Sequence, residues 1–461
     1  MVVRKKPFAA LLIAASLAVG VPAAYAQDTN APPPQAQKAF DNKIIKKISA
    51  DNMYNHIAHL SAEPRVAGTE AEWNAVKYIE AEFSSYGYET EIQPFTFENY
   101  YAPKVSVSAD GQTLSSSGFT YTPNGNVTAN LVHVGLGAPS DFEGKDVTGK
   151  IALIQRGDFS FAEKVLNAAE AGASAVIIYN NAPGGINGTL GEPSDDYVPA
   201  AAISQADGQR LAAALAGGQT VSATVSITGG QVVEETSHNV IAVKKPTQKN
   251  RATDQIIVVG AHHDSVPGAP GANDDASGVS ATLELARVMA NMPTDTEIRF
   301  VTFGAEELGL IGSYEYVDSL SQGEIDRIVG MWQMDMVGSR DAGELVMFTV
   351  DGQKNTVTDL SAAAGVRTGT PLTYGQESRS DHVPFHYAGI PAALFIHNPV
   401  EPWYHTPEDS LDKISKEKLQ ETAEIVGAAV YQVARPDTPA LERSKVAPKP
   451  VDYEKMVGGL Q

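Results

Sequence analysis

The chain has 461 residues, of which 43% are hydrophobic and 19% charged, a balance typical of soluble globular proteins with two or three domains. Its 55 Asp and Glu residues against 34 Lys and Arg give a net charge of −21, which disfavours nucleic acid and anionic lipid as partners. Cysteine is absent, so disulfides, cysteine metal ligands and cysteine nucleophiles are excluded. Any metal ion must therefore be bound by His, Asp or Glu.

The N-terminus has the three parts of a secretory signal peptide, which we place at residues 1–26. A basic start at 4–6 precedes the apolar segment 8–21, and Ala-Tyr-Ala at 24–26 fits a cleavage site. A membrane anchor is the alternative, but the apolar segment is short for a bilayer and is followed by Pro22. We expect a secreted or periplasmic protein without a membrane anchor, whose net charge falls from −21 to −24 with the loss of three basic residues.

Composition divides the rest of the chain. Residues 27–43 are rich in Pro, Gln and Ala and predict a disordered leader. Residues 44–102 show helical periodicity followed by a strand pattern. Residues 103–235 contain short strands, two helices and many Gly, Pro and Asn residues, and they lack a cluster of His, Asp and Glu. We interpret 103–235 as an inserted domain, and we expect the tail 437–461 to be loose.

Between residues 236 and 436, strand and helix patterns alternate. Strands are predicted at 255–260, 297–303 and 328–334, and a last helix at 415–434 closes the fold. Such alternation is typical of α/β proteins with parallel strands. The predicted fold class is therefore α/β, with a mixed, largely parallel sheet flanked by helices. Residues 44–102 and 236–436 form this discontinuous domain, and the insert is a smaller mixed α/β domain.

Residues of the kinds that bind divalent metals follow these strands. Ligands of open α/β sheets bind beyond the carboxyl ends of the strands, so these side chains are expected at one edge. Oxygen and imidazole ligands suit zinc, and two ions about 3.5–4 Å apart share a bridging carboxylate and activate one water. Taken singly, each residue is better explained as a helix cap or a surface charge, but their joint occurrence after several strands favours a shared site. The candidate ligands are His262, Asp274, Asp335, His405 and one of the tandem pair Glu306 and Glu307, whose other member could act as general base.

Six short strings stand out between residues 260 and 410. They are GAHHDS (260–265), GAND (271–274), GAEELGLIGS (304–313), MDMVGS (334–339), SRSDHVPF (378–385) and WYHTPEDS (403–410). These strings resemble those of peptidase family M28, the di-zinc aminopeptidases; they occur in the order of the family and together are specific for it.

The resemblance implies two Zn²⁺ ions per chain and a role for each matching residue. It implies that His262 and Asp335 bind one ion and that Glu307 and His405 bind the other. It also implies that Asp274 bridges the two ions. The implied catalytic residues are Glu306 as general base, Asp264 as the residue that orients His262, and Tyr404 as hydrogen-bond donor to the oxyanion. The Asp274–Asp275 peptide bond is expected to be cis.

The resemblance also extends to substrate binding and to the insert. It implies that a backbone carbonyl near Arg379 binds the substrate amine and that Phe395 and its neighbours shape the first side-chain pocket. Residues 147–181 resemble a protease-associated (PA) domain, which in relatives lies near the cleft as a lid or a substrate-selecting surface. A merely stabilising insert has the same sequence features, so both interpretations stay open.

The predicted function is an exported metallo-aminopeptidase that removes N-terminal, leucine-like residues from peptides. A carboxypeptidase or dipeptidase of the same fold is disfavoured, because no arginine cluster is present to bind a C-terminal carboxylate. A glutaminyl cyclase would use a single zinc, and a non-catalytic binding protein would have lost ligands. Peptides are the expected partners, and the oligomeric state is left open. His263 should face away from His262 in an extended segment and receives no ligand role.

Overall fold

The computed structural model describes residues 34–441. Their contacts divide them into two compact units, which we call the insert unit (Glu98–Glu235) and the main unit (34–97 with 236–441). The chain passes between the units within two long strands. The sequence analysis placed the boundaries of the insert at residues 103 and 235.

The elements are numbered in chain order. The α-helices are α1 (Pro34–Ile45), α2 (Ala50–Leu60), α3 (Glu70–Ser85), α4 (Phe161–Glu170), α5 (Gln205–Ala216), α6 (Ala276–Met289), α7 (Ile311–Ser319), α8 (Gln322–Arg327), α9 (Thr356–Thr368), α10 (His382–Tyr387) and α11 (Lys416–Ala434). The strands are β1 (Glu89–Tyr101), β2 (Lys104–Ala109), β3 (Gln112–Leu114), β4 (Ser116–Gly118), β5 (Gly125–His133), β6 (Ile151–Gln155), β7 (Ala175–Tyr179), β8 (Ala200–Ile203), β9 (Ser222–Thr228), β10 (Gln231–Lys244), β11 (Ile256–His262), β12 (Glu297–Phe303), β13 (Ile328–Met334), β14 (Glu344–Thr349), β15 (Thr373–Gln376) and β16 (Ala392–Asn398).

The sheet of the main unit has the order β1-β10-β12-β11-β13-β16-β14-β15. Its four central strands, β12, β11, β13 and β16, run parallel, whereas β10 and β14 are antiparallel to their central neighbours. Every residue of β11 and β13 is buried, as expected for parallel strands covered on both faces. The parallel arrangement brings the carboxyl ends of four strands to one edge of the sheet.

Helices cover this sheet and fix its position. Helix α6 is buried along almost its whole length, and Asp275 caps its N-terminus by accepting the Gly278 N–H. Trp332 in β13 is fully buried, and its indole N–H donates to Ser361 in α9 at 2.9 Å. Helix α11 begins one residue after its N-cap, Ser415. A close-packed core of this kind gives the sheet edge a rigid base.

The insert unit has its own sheet, of order β3-β2-β9-β5-β6-β7-β8-β4. Strands β5 to β8 run parallel, and the outer pairs are antiparallel. Strand β7 is wholly buried, and α4 and α5 supply buried side chains such as Val165 and Leu211. Both units are therefore mixed α/β structures with helices on their sheets, and the predicted fold class is confirmed.

The prediction of a disordered leader does not hold from Pro34 onward, because α1 occupies residues 34–45. Pro34 at the first helical position is favourable, since its missing N–H would be unpaired there. Further along the helix Ile44 is fully buried in the main core, and the buried Asp41 pairs with Arg367 of α9 at 2.6 Å. The Ala- and Gln-rich composition that favoured disorder thus belongs to a helix that is stabilised by packing.

Three predictions fall wholly or partly outside the described residues. The predicted signal peptide covers residues 1–26, the predicted leader is described only from Pro34, and the predicted tail is described only as far as Leu441. The N–H of Leu441 donates to the Gln255 side chain at 2.9 Å, and its carbonyl accepts from the same side chain. None of the helices within residues 34–441 is long and apolar enough to cross a membrane.

Candidate active site

The carboxyl edge of the main sheet carries three of the candidate segments. His262 is the last residue of β11, Asp335 directly follows β13, and the pair Glu306-Glu307 follows β12. Ala305 and Met336, which adjoin these residues, have φ angles of +53° and +57°. Non-glycine residues rarely adopt this left-handed conformation unless the surrounding structure enforces it. The two turns therefore fix the directions in which Glu306 and Asp335 leave the sheet.

The Asp274 carboxylate lies at the centre of the site. Its Oδ1 is 3.1 Å from His262 Nε2, and its Oδ2 is 3.2 Å from His405 Nε2. Asp335 Oδ1 is 3.6 Å from the first imidazole nitrogen, and Glu307 Oε2 is 3.0 Å from the second. The five candidate ligands thus form two groups that share one carboxylate.

Asp264 supports both sides of this arrangement and is fully buried. One oxygen lies 3.5 Å from His262 Nδ1 and accepts the Glu306 N–H at 3.1 Å. Its other oxygen accepts the Glu307 N–H at 3.2 Å. A single carboxylate therefore orients the imidazole and the backbone of both glutamates.

Asp275 lies close enough to His262 and Asp335 to count as an alternative ligand, since ligand atoms of the three lie within 4.8 Å of one another. Its oxygens, however, accept backbone N–H groups from Gly278, His262 and Met336 at 2.8, 3.2 and 3.1 Å. We therefore regard Asp275 as a structural acceptor and Asp274 as the better ligand. The peptide bond between the two aspartates is cis, as the resemblance implied.

The loop that carries His405 is tied to the loop that carries Asp274. Asp409 accepts the N–H groups of Asn273 and Asp274 at 2.8 and 3.0 Å. The Asn273 side chain donates to Glu401 at 2.7 Å, and its oxygen accepts the N–H of Gly338. These hydrogen bonds fix the distance between the two loops and so the position of the shared carboxylate.

Negative charge dominates the site. Burial raises the pKa of Glu306 well above its usual value and that of Glu307 to about 7. Burial by itself would lower the pKa of the two histidines. The neighbouring carboxylates outweigh it and raise the pKa of His262 well above normal and that of His405 to about 10. The raised pKa values favour the protonated, positively charged form of both histidines. A histidine that binds a metal is neutral, so bound cations would supply this positive charge instead.

The polar atoms of the site fit metal ions. Within residues 34–441, Glu307 Oε1 and Asp335 Oδ1 are buried and have no hydrogen-bond partner. Buried acceptors are rarely left without one, and a divalent cation is a suitable partner for carboxylate and imidazole ligands. The second oxygen of Asp335 accepts the Ser380 hydroxyl at 2.8 Å, which holds the carboxylate in place. The donor set therefore fits two divalent ions.

The residues with predicted catalytic roles adjoin these ligands. Glu306 Oε2 is 4.0 Å from His262 Nε2, at the limit of ion-pair distance. The Tyr404 ring stacks on the His405 ring with 3.7 Å between centroids. Burial and the nearby Asp274 raise the pKa of Tyr404, so its hydroxyl keeps its proton and can donate a hydrogen bond.

The residues with predicted substrate contacts are placed differently. Arg379 forms a two-pronged ion pair with Glu377, at 2.8 and 2.5 Å. The Phe395 side chain is fully buried in the main core. Its neighbours Leu394 and Ile396 lie on the opposite face, because side chains alternate along a strand. The neighbours, and not Phe395, therefore belong to the apolar cluster that includes Met336 and Tyr404.

A small apolar cluster lies beside the ligands. It joins side chains that are adjacent in sequence to Asp335 and His405 to side chains from β14 and β16. Its members are Met336, Phe348, Leu394, Ile396 and Tyr404.

Histidines outside the ligand set have structural surroundings. His263 contacts Thr302 at 3.2 Å and Glu72 at 3.5 Å, on the side away from His262. Burial lowers the pKa of His382 to about 4, and its Nε2 lies 2.9 Å from the Glu377 carbonyl.

The sequence analysis missed Asp275, Asp409 and Ser380. Asp275 carries a signal that could have been used, since it precedes the apolar helix α6 as an N-cap residue. Asp409 and Ser380 lie within the quoted strings, but nothing in their spacing identifies their partners.

Two sequence profiles match the chain. That of peptidase family M28 matches residues 239–430, and that of the PA domain matches residues 127–211. Aminopeptidase YwaD of Bacillus subtilis (strain 168) is 42% identical over 400 residues, which cover 84% of this chain and 86% of YwaD.

Solved structures give similar results. An aminopeptidase from Aneurinibacillus sp. strain AM-1 is 58% identical, with a TM-score of 0.76, over 89% of this chain and 98% of that one. BSAP, a zinc aminopeptidase from Bacillus subtilis, is 40% identical, with a TM-score of 0.66, over 86% and 97% of the two chains. Identity at this level over most of both chains establishes the family. The chain belongs to peptidase family M28, a family of metallo-hydrolases, and carries a PA domain.

Proposed function

We propose that the protein is an exported aminopeptidase that binds two Zn²⁺ ions and releases hydrophobic N-terminal residues from peptides. The observation that carries this proposal is the Asp274 carboxylate, which has one oxygen near His262 and the other near His405. A carboxylate in this position is suited to bridge two cations. The names of YwaD and of BSAP support aminopeptidase activity and zinc.

Each group of ligands would hold one ion. His262 and Asp335 would bind the first, Glu307 and His405 the second, and Asp274 both. When bound, the pair of ions would activate water and polarise the substrate carbonyl. Asp264 would keep His262 in the tautomer that presents Nε2 to the site, because it lies beside Nδ1.

The remaining chemistry is assigned to Glu306 and Tyr404. Glu306 would take a proton from the attacking water and pass it to the departing amine of the shortened peptide. Burial raises its pKa, which favours a group that both accepts and releases a proton. Tyr404 would donate a hydrogen bond to the oxygen that becomes negative as the carbonyl is attacked.

The site would bind the free N-terminal amine of the substrate. The carboxylates of Glu306 and Asp335, with a backbone carbonyl near Arg379, would attract the ammonium group. The apolar cluster that contains Met336 and Ile396 supports a hydrophobic side chain in the first pocket. The Arg379 guanidinium is already paired with Glu377, which disfavours a grip on a C-terminal carboxylate.

Replacing Glu306 by Gln should lower kcat by about 10²- to 10⁴-fold with little change in KM, because the general base is removed and the shape is kept. Steady-state kinetics on leucine p-nitroanilide measure this. Glu408→Gln, an exposed glutamate on the His405 loop, is the matched control and should retain wild-type kcat. Full activity of the Glu306 variant would exclude the mechanism.

Removal of metal should abolish activity and lower the melting temperature, and Zn²⁺ should restore both with an end point of two ions per chain. Ligand binding at a thousandfold excess over Kd stabilises the folded state by roughly 4 kcal/mol. Calorimetric titration and metal analysis measure the stoichiometry. His405→Asn should bind one ion fewer, while the control His59→Asn, at an exposed position in α2, should bind two. An end point of one ion in the wild type would contradict a two-metal site.

Substrates with a free, hydrophobic N-terminus should be preferred. We expect leucine p-nitroanilide to be cleaved at least roughly tenfold faster than the aspartate analogue, since the pocket is apolar. Acetylation of the leucine amine should reduce kcat/KM by several orders of magnitude, because it removes the positive charge that the carboxylates attract. Equal rates on free and acetylated substrates would argue for an endopeptidase or another reaction.

Export rests on the predicted signal peptide. Expressed with its own N-terminus in a secreting bacterial host, the protein should accumulate outside the cytoplasm and begin at Gln27. N-terminal sequencing and cell fractionation measure this, and a full-length cytoplasmic product would contradict export.

A further inference from the structure

Arg65, in the segment between α2 and α3, is a buried cation beneath the candidate metal site, with only 1% of its surface exposed. Its guanidinium donates to four backbone carbonyls, and none of these belongs to an acidic residue. The acceptors are Leu60 at 2.8 Å, His263 at 2.7 Å, Pro270 at 2.7 Å and Gly271 at 3.0 Å.

The backbone segment 263–271 carries Asp264 and leads into the loop of Asp274. It contacts the Arg65 side chain through the carbonyls of residues 263, 270 and 271. Arg65 and Ser265 are also joined by two hydrogen bonds: the Arg65 backbone N–H donates to the Ser265 hydroxyl oxygen at 2.9 Å, and the Ser265 N–H donates to the Arg65 carbonyl at 3.2 Å. Gly271 has a φ of +64°, and a Cβ at this position would lie 2.9 Å from the guanidinium. A larger residue at 271 would therefore push the segment off Arg65.

The charge of Arg65 is not cancelled by its hydrogen-bond partners, because carbonyl groups are neutral. An arginine stays protonated in proteins, and burying a charge without an opposite charge is costly. Burial lowers the pKa of Arg65, and four aspartates of the site act in the opposite direction: Asp264, Asp409, Asp275 and Asp274. The negative charge that favours the protonated form of Arg65 is therefore that of these four aspartates.

We propose that Arg65 is a positioning residue whose charge holds the acidic site together before metal binds. The inference rests on the metal site proposed above. Without metal, the carboxylates repel one another, and a buried cation beneath them opposes this repulsion. Two bound dications would largely neutralise the carboxylates, so the attraction to Arg65 would then be weak. The hydrogen bonds to carbonyls, in contrast, act in both states.

The contribution of the Arg65 charge can be separated from that of its hydrogen bonds by thermodynamic linkage. Loss of the hydrogen bonds should destabilise the metal-free and metal-loaded forms equally. Loss of the charge should destabilise the metal-free form more, and the variant must then bind metal more tightly. A residue that only packs against the segment would not change the difference between the two forms.

The test compares Arg65→Gln with Arg65→Lys, which both lose the guanidinium fork, whereas only the Gln variant loses the charge. In the metal-free state, we expect the Gln variant to melt about 5–10 °C below the Lys variant. Saturation with Zn²⁺ should close most of this gap, and competition with a chelator should show roughly tenfold tighter zinc binding by the Gln variant. Equal melting temperatures of the two metal-free variants, or an unchanged gap with Zn²⁺, would overturn the proposal.

If the metal-free Arg65→Gln variant does not fold, a second measurement replaces the comparison of melting temperatures. Both zinc-loaded variants are titrated with chelator, and unfolding is followed by circular dichroism. Unfolding of the Gln variant alone supports the proposal, whereas equal behaviour of the two variants contradicts it. A measurement on the wild type tests the metal site independently of the role of Arg65. If Zn²⁺ failed to stabilise the wild type, the proposed metal site would be rejected. The metal-free comparison of the two variants would still test the charge of Arg65.

Discussion

The contact of the Asp274 carboxylate with two imidazoles is the interaction on which the rest of the site depends. One imidazole, His262, ends a strand at the centre of the main sheet, and the other, His405, comes from a loop after β16. Carboxylates buried together at one sheet edge repel one another, and burial together with the nearby Asp274 charge raises the pKa of Glu307 to about 7. Such a cluster is stable only with positive charge inside it. Protons on the histidines can supply that charge, and divalent ions, if bound, would also satisfy the unpaired oxygens.

Backbone N–H groups hold this charged cluster in shape. Asp264 accepts two of them from the tandem glutamates, Asp275 accepts three, and Asp409 accepts two from the loop that leads to Asp274. Each of these carboxylates ties segments that are distant in sequence, and each is itself stabilised by the donors. The positions of the ligands are therefore set by the rigid backbone of the sheet and its loops, as a precise site requires.

Several features could be predicted because they depend on local pattern. Apolar strands followed by His, Asp or Glu indicated the ligand set, since the carboxyl ends of parallel strands share an edge. The membership of the apolar cluster beside the ligands could not be predicted in the same way. Leu394, Phe395 and Ile396 are all apolar, and only strand register decides that the first and third face the apolar cluster. Helix α1 was missed because its composition resembles that of disordered segments, whereas Ile44 and Asp41 stabilise it through contacts with distant helices.

The sequence by itself determined the fold class, the family and the identity of the residues that meet at the sheet edge. These follow from the periodicity of apolar residues and from motifs whose spacing is preserved in the chain. The tertiary structure alone decided that Asp274 lies between the histidines while its neighbour Asp275 accepts backbone N–H groups, and that Arg65 lies beneath both. The physical reason is that these roles depend on which polar atoms come within hydrogen-bond distance. Packing of segments as far apart as 206 residues sets those distances, and no local pattern encodes them.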